Sequence, residues 1–115
     1  MIKEQKVIDK PWGKEIIWAD CEHYAGKVIV INKNNRLSLQ YHEKKTETIM
    51  VLSGMLFIEN GNPDEELVLS SGQSFHVSPG TKHRFCAREV DVTLVEVSTP
   101  ELDDVVRIED DYERG

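Results

Sequence analysis

A chain of 115 residues is the size of one domain, enough for a single hydrophobic core and too short for two. With 21 acidic against 14 basic residues it carries a formal charge of −7, which leaves no general basic face and excludes nucleic acid as an expected partner. Residues 1–6 lack an apolar signal core and no run approaches the roughly 18 apolar residues of a membrane span, so no membrane partner is expected and the cytoplasm is the default compartment.

Taken in order, the chain reads as many short strands. Residues 16–18 and 27–31 are apolar and β-branched, and the Asn-rich stretch 32–35 is a turn cluster. Residues 37–42 alternate, and the charged run 43–46 then leads into a strand over 48–52. Ser53-Gly54 between 48–52 and 55–58 predicts a hairpin. Asn60-Gly61-Asn62-Pro63-Asp64 is a turn, and strands are expected over 65–69, 74–77, 83–87 and 92–97, with Ser78-Pro79-Gly80 as a tight turn. A helical turn around 103–109 is the one expected departure from β structure. Cys21 and Cys86, at unrelated spacing, are expected as free thiols. No repeat or linker divides the chain, so residues 1–115 are expected to form one domain, a closed all-β sandwich or barrel.

Alternation within 37–42 puts Ser38, Gln40 and His42 on one face and Leu37, Leu39 and Tyr41 on the other. An amide oxygen and an imidazole two residues apart, joined by the carboxylate of Glu47, make a candidate cluster of metal-binding groups. Some forty residues on, His83 follows the Pro-Gly turn. Gln40, His42, Glu47 and His83 are therefore the candidates to meet at one point, an N2O2 donor set that suits Zn(II), Mn(II), Fe(II), Co(II) or Ni(II) and leaves positions for water or substrate oxygens. His23 lies in a polar loop and His76 in the strand before the turn, and neither is a candidate ligand.

The pattern Gln40-x-His42-x4-Glu47-x6-Gly54 resembles the first cupin motif with Gln in place of its first His, and Gly72-x6-Pro79-Gly80-x2-His83 resembles the second. Around them, Pro11-Trp12-Gly13, Leu37-Ser38-Leu39-Gln40-Tyr41-His42, Glu96-Val97, Asp103-Asp104-Val105-Val106-Arg107 and Asp110-Asp111-Tyr112-Glu113-Arg114 resemble the C-terminal cupin domain of type II mannose-6-phosphate isomerases, often fused to a mannose-1-phosphate guanylyltransferase. The likeness runs through nearly the whole chain. Three positions depart from it: Asn34-Asn35 replaces a Pro-Gly, Thr48-Ile49-Met50 lacks the aromatic that follows the ligand Glu, and Glu113 replaces a Gly. None removes a proposed ligand.

The resemblance implies a double-stranded β-helix, one divalent metal on the four ligands above, and a sugar phosphate as substrate, interconverted between mannose 6-phosphate and fructose 6-phosphate. It also implies a homodimer, with Trp12 and Trp18 as core or contact aromatics. Lys27, Arg107 and Arg114 fall on family positions that carry basic residues. The two arginines are candidates to contact phosphate or enediolate through a bidentate fork, with surface pairing to neighbouring acids as the equal alternative. Lys27 is either catalytic or an edge residue, and Glu96, between Val95 and Val97, faces either inward or outward. Two other readings accompany the isomerase: a non-catalytic cupin that binds a sugar or nucleotide-sugar, and a small Fe(II) dioxygenase, because two His and one carboxylate are retained.

Overall fold

Runs of β-branched residues broken by Gly, Asn and Pro give eleven strands among residues 1–112, the part of the chain described by the computed structural model. They are β1 (Lys6–Lys10), β2 (Gly13–Asp20), β3 (Ala25–Ile31), β4 (Leu39–Tyr41), β5 (Glu47–Ser53), β6 (Leu56–Glu59), β7 (Leu67–Leu69), β8 (Ser74–Val77), β9 (Arg84–Cys86), β10 (Val92–Ser98) and β11 (Val106–Glu109). A six-stranded antiparallel sheet has the order β1-β2-β3-β10-β5-β8. Opposite it lie β7-β6-β9 and β11-β4, joined where Gln40 and His83 exchange backbone hydrogen bonds of 3.0 and 2.9 Å. The expected all-β, double-stranded β-helix is the fold found, and no helix among the described residues is long and apolar enough to cross a membrane.

The inward face of the large sheet is stratified along its strands. Reading every second residue, β3 presents Ile31, Ile29 and Lys27, β5 presents Val51, Ile49 and Glu47, and β10 presents Val92, Leu94 and Glu96, all buried. Strands β3 and β10 change from apolar to ionisable at the same level, where Lys27 faces Glu96, and β5 changes one inward position further on, Ile49 facing Glu96 and Glu47 facing Ser98. The apolar end packs on Leu56, Ile58, Leu69 and Phe85 of the opposite layer. Each fully buried Ile, Leu or Val contributes about 1.5–3 kcal/mol, which offsets the cost of burying charge at the other end.

Two sequence expectations fail here. Strands β5 and β6 form no hairpin, because β5 pairs with β10 and β8 while β6 pairs with β7 and β9. Ser53-Gly54 instead carries the chain from one sheet to the other. Gly54 has φ +87°, and a Cβ there would lie 2.3 Å from the Asp91 carbonyl oxygen, so the crossing requires glycine. Residues 106–109 are not a helical turn but β11, which finds its hydrogen-bonding partner in β4, the strand that carries Gln40. Strand β1, unforeseen in the sequence, adds an edge beside β2. Cys21 is exposed and Cys86 buried, both free.

Candidate metal centre

His42 leaves the end of β4, Glu47 opens β5, and His83 immediately precedes β9. The Pro-Gly turn aligns the two motifs. Pro79 and Gly80, the latter at φ +80°, occupy the central positions of a turn closed by the Thr81 N–H on the Ser78 carbonyl at 3.2 Å, and the Gly80 N–H donates to the His42 carbonyl at 2.7 Å. One donor atom from each of His42, Glu47 and His83 lies within 4.8 Å of the others, and all three residues are buried.

The imidazoles are held in one tautomer by backbone carbonyls, which only accept. His42 Nδ1 donates to the Asp104 carbonyl at 2.6 Å, and His83 Nδ1 donates to the Thr81 carbonyl at 2.9 Å. Each ring then turns its Nε2 toward Glu47 Oε1, at 3.1 Å from His42 and 3.2 Å from His83, and in the neutral form of this tautomer that nitrogen carries only a lone pair. Three lone pairs converging without a hydrogen between them require a positive centre, either added protons or a metal cation. The His83 Nε2 has no hydrogen-bond partner in this buried place. Two imidazole nitrogens and a carboxylate, each fixed by a second hydrogen bond or ion pair, fit a borderline divalent ion. Gln40 lines the same cavity, with its Oε1 accepting from the Ser38 hydroxyl at 2.7 Å.

Electrostatics fix Glu47 as the anion of the group. Burial pushes its carboxyl up, but a hydrogen bond from Glu96, hydrogen bonds from the two imidazoles when their Nε2 atoms carry protons, and the Lys45 ammonium together hold it well below the usual carboxylate range. Glu96 shows the opposite: burial first, then the charge of Glu47, raises it well above the ordinary value, so that it keeps its proton. The Lys45 Nζ lies 3.3 Å from Glu47 Oε2 and 3.5 Å from Glu96 Oε2. Burial would lower the Lys45 ammonium, but the two glutamates outweigh it and raise its pKa.

A cavity of about 480 Å³ opens over the cluster, bounded by His42, Glu47, Lys45 and Glu96 at its floor. Glu96 therefore faces inward. Lys27, also buried, stands beside Glu96 across the β3–β10 register, its Nζ 3.4 Å from Glu15 Oε1. Arg107 is exposed on β11, opposite Gln40, and lines the same cavity. Arg114 lies outside the described residues. His76 is exposed with Nδ1 bonded to the Thr48 hydroxyl at 2.9 Å, and His23 is exposed beside Glu22, far from any ligand role.

Three residues of the site went unseen in the sequence. Lys45 sits in a charged run where alternation gives no facing, and Glu15 falls in a strand whose start was not recognised. Asp104 organises the approach to the cluster. Its carboxylate accepts the N–H groups of Glu43, Lys44 and Lys45 at 3.1, 2.7 and 2.9 Å, and those bonds lower its pKa to about 2. With its carbonyl on His42, one residue positions both the first histidine and the turn that delivers Lys45 and Glu47.

Residues 1–110 match the family described as mannose-6-phosphate isomerase C-terminal. The chain belongs to this family. It is 32% identical over 109 residues to the xanthan biosynthesis protein XanB of Xanthomonas campestris pv. campestris (strain B100), covering 91% of this chain and 23% of that protein. It is 33% identical over 112 residues to the mannose-1-phosphate guanylyltransferase ManC of Salmonella typhimurium, covering 91% of this chain and 22% of the relative. The chain thus spans about a quarter of the length of these curated relatives. Among solved structures, KdgF from Halomonas sp. superposes with a TM-score of 0.75 at 22% identity, covering 85% of this chain and 90% of that one. An RmlC-like cupin from Shewanella frigidimarina gives 0.73 at 18% identity, covering 87% of each chain. Both likenesses are of fold, and the fold is that of the cupins.

Proposed function

We propose that this cupin domain is a metal-dependent aldose–ketose isomerase of hexose phosphates, of the mannose 6-phosphate to fructose 6-phosphate type. The observation that supports it most is the convergence of the His42 and His83 Nε2 atoms on the Glu47 carboxylate at the floor of a cavity whose lining includes Lys6, Lys10, Lys27 and Arg107. His42, Glu47 and His83, with the Gln40 amide oxygen, would hold the ion. A divalent ion at that place polarises neighbouring carbonyl and hydroxyl oxygens and lowers the cost of charge developing on them. Lys45 and the protonated Glu96 keep Glu47 anionic, and hence a ligand. Lys27 lies on the cavity wall beside Glu96, and Arg107, exposed in the same lining, would meet an anionic group of the substrate. Such an enzyme works on a cytoplasmic metabolite, and we place the protein there. The outer face of the six-stranded sheet, with Trp18, Met50 and Val97 exposed, is the surface we assign to a second copy in a homodimer.

The test is turnover of mannose 6-phosphate by the purified chain. Activity is expected to vanish on chelation, to return with a divalent metal, and to be absent in His42→Ala that still folds. Metal-loaded protein that converts no hexose phosphate would end the reading. One fact favours a second one: the chain spans about a quarter of relatives such as the guanylyltransferase ManC. A non-catalytic domain that binds a sugar or nucleotide-sugar would show ligand-induced thermal stabilisation without turnover.

A further inference from the structure

The charges facing the cavity are not balanced evenly along its walls. Glu15 is engaged by Lys27, and Asp20 by Lys3 at 3.0 Å. Glu47 and Glu96 both pair with the ammonium of Lys45, at 3.3 and 3.5 Å. Three lining cations, Lys6, Lys10 and Arg107, have no ion pair among the described residues, and Asp103 is the one lining carboxylate that remains to oppose them. The unbalanced charge at the mouth is positive, in a chain whose net charge is −7.

Strand β1 explains the placement. Alternation turns Lys6, Ile8 and Lys10 to the cavity side, while Val7 and Asp9 point away. Two lysines four residues apart on one face are roughly 13 Å apart along the backbone. Their flexible stems let both ammonium groups reach an anion lying above Ile8. The inward row Lys6–Ile17–Lys27–Glu96 runs straight across the sheet, so Lys6 stands three strands from Glu96, roughly 14 Å by strand spacing. Glu47, on β5, lies one strand beyond Glu96, and a sugar phosphate with its C1 and C2 oxygens at the metal cluster and its phosphate turned toward β1 would present that phosphate to these lysine stems.

We propose that Lys6 and Lys10 of β1, with Arg107 across the mouth, form the binding site for a phosphate monoester dianion. This rests on the isomerase reading only for the identity of the ligand, since the site is argued from unpaired charge and strand facing. It assigns substrate selection to an edge strand that contributes nothing to the metal cluster. Lysines also protect a sheet edge from pairing with another chain, and the experiment separates that role from binding.

Inorganic phosphate is titrated calorimetrically into the full chain, without added metal, in the wild type, the double variant Lys6→Gln/Lys10→Gln, and Lys14→Gln. Lys14 is an exposed neighbour on β2 outside the cavity lining and keeps the overall charge change in view. The double variant is expected to bind phosphate about tenfold more weakly or worse, as loss of charge-assisted contacts requires, with Lys14→Gln unchanged. The proposal is overturned if the wild type binds no phosphate, if the double variant stays within about twofold of it, or if Lys14→Gln weakens binding equally, which would mean diffuse attraction only. Mannose 6-phosphate and a nucleoside diphosphate sugar are run as competitors. Competition by the monoester supports the site, and competition by the diphosphate alone overturns the monoester assignment. Phosphate binding that depends on Lys6 and Lys10 in a protein without turnover would refute the isomerase and leave this site standing. Turnover whose KM for mannose 6-phosphate is unmoved in the double variant would do the reverse.

Discussion

Replacing Lys45 with Met removes the cation that sits between two buried carboxyl groups, at 3.3 Å from Glu47 and 3.5 Å from Glu96, with 5% of its side chain exposed. Breaking a buried ion pair by deleting one partner costs about 3–5 kcal/mol, because the remaining charge is left uncompensated in a poorly solvated place. A domain of this size has about 5–15 kcal/mol in hand, so the variant folds but is weakened. At about 4 °C per kcal/mol, the midpoint falls by about 12–20 °C. Thermal and urea unfolding followed by circular dichroism would measure this in chelator. The same scans are run with Zn²⁺. A divalent ion beside Glu47 replaces part of the missing positive charge, so metal should raise the midpoint of Lys45→Met by more than it raises the wild type, where about a hundredfold excess over Kd gives about 2.7 kcal/mol. A Lys45→Met protein within about 1 kcal/mol of wild type in chelator, or a metal effect equal in both proteins, would refute the placement of Lys45 as counter-charge to the cluster.

Other expectations follow from the same structure. Burial, with the charge of Glu59, pushes the Cys86 thiol up to about 12, so at pH 8 only about one part in 10⁴ is thiolate. Iodoacetamide should add once to the native protein, at Cys21, and twice in urea, with Cys86 labelling rising as pH increases; two equal native adducts by mass spectrometry would contradict this. Asp104, lowered from 3.8 to about 2 by three backbone N–H groups, contributes stability that is complete above about pH 4 and is lost as pH falls through about 2. In Asp104→Asn the fall in stability across that window should be shallower, and an unchanged acid titration of the midpoint would show that the carboxylate does not hold the 43–45 turn. Val97→Asp, on the outer face of the large sheet, should convert a two-chain mass to a one-chain mass by light scattering; a wild type that is already monomeric removes that assignment.

Much of the fold was legible because alternation is a strong local signal. The strand 92–97 showed itself by β-branched residues, and the tight turn at 78–80 by Pro at one turn position and Gly at the next, which dictate the backbone. The candidate metal donors were named through motif spacing, and the structure brings three of them, His42, Glu47 and His83, to one point where they could hold an ion. What stayed hidden is non-local. Whether Ser53-Gly54 closes a hairpin or crosses between sheets depends on partners about twenty and forty residues away, β8 and β10, and not on the two turn residues. The facing of Glu96 was open because Val95 and Val97 flank it equally in sequence; burial against Lys27, Lys45 and Glu47 decides it. Lys45 and Asp104 carried no periodic signal, because loops are held by hydrogen bonds to distant side chains. Asn34 takes the left-handed φ of 61° that Gly adopts freely and Asn tolerates, so the chain keeps its turn at 32–35 where the family pattern has Pro-Gly.

The most direct measurement is the metal content of the purified chain, paired with X-ray absorption at the edge of whatever metal is found. One divalent ion per chain with two imidazole nitrogens and oxygen neighbours, lost in folded His42→Ala and His83→Ala, is the result expected from the His42–Glu47–His83 convergence. Metal that is absent after incubation with every candidate ion, or that remains at full stoichiometry in both variants, would contradict it.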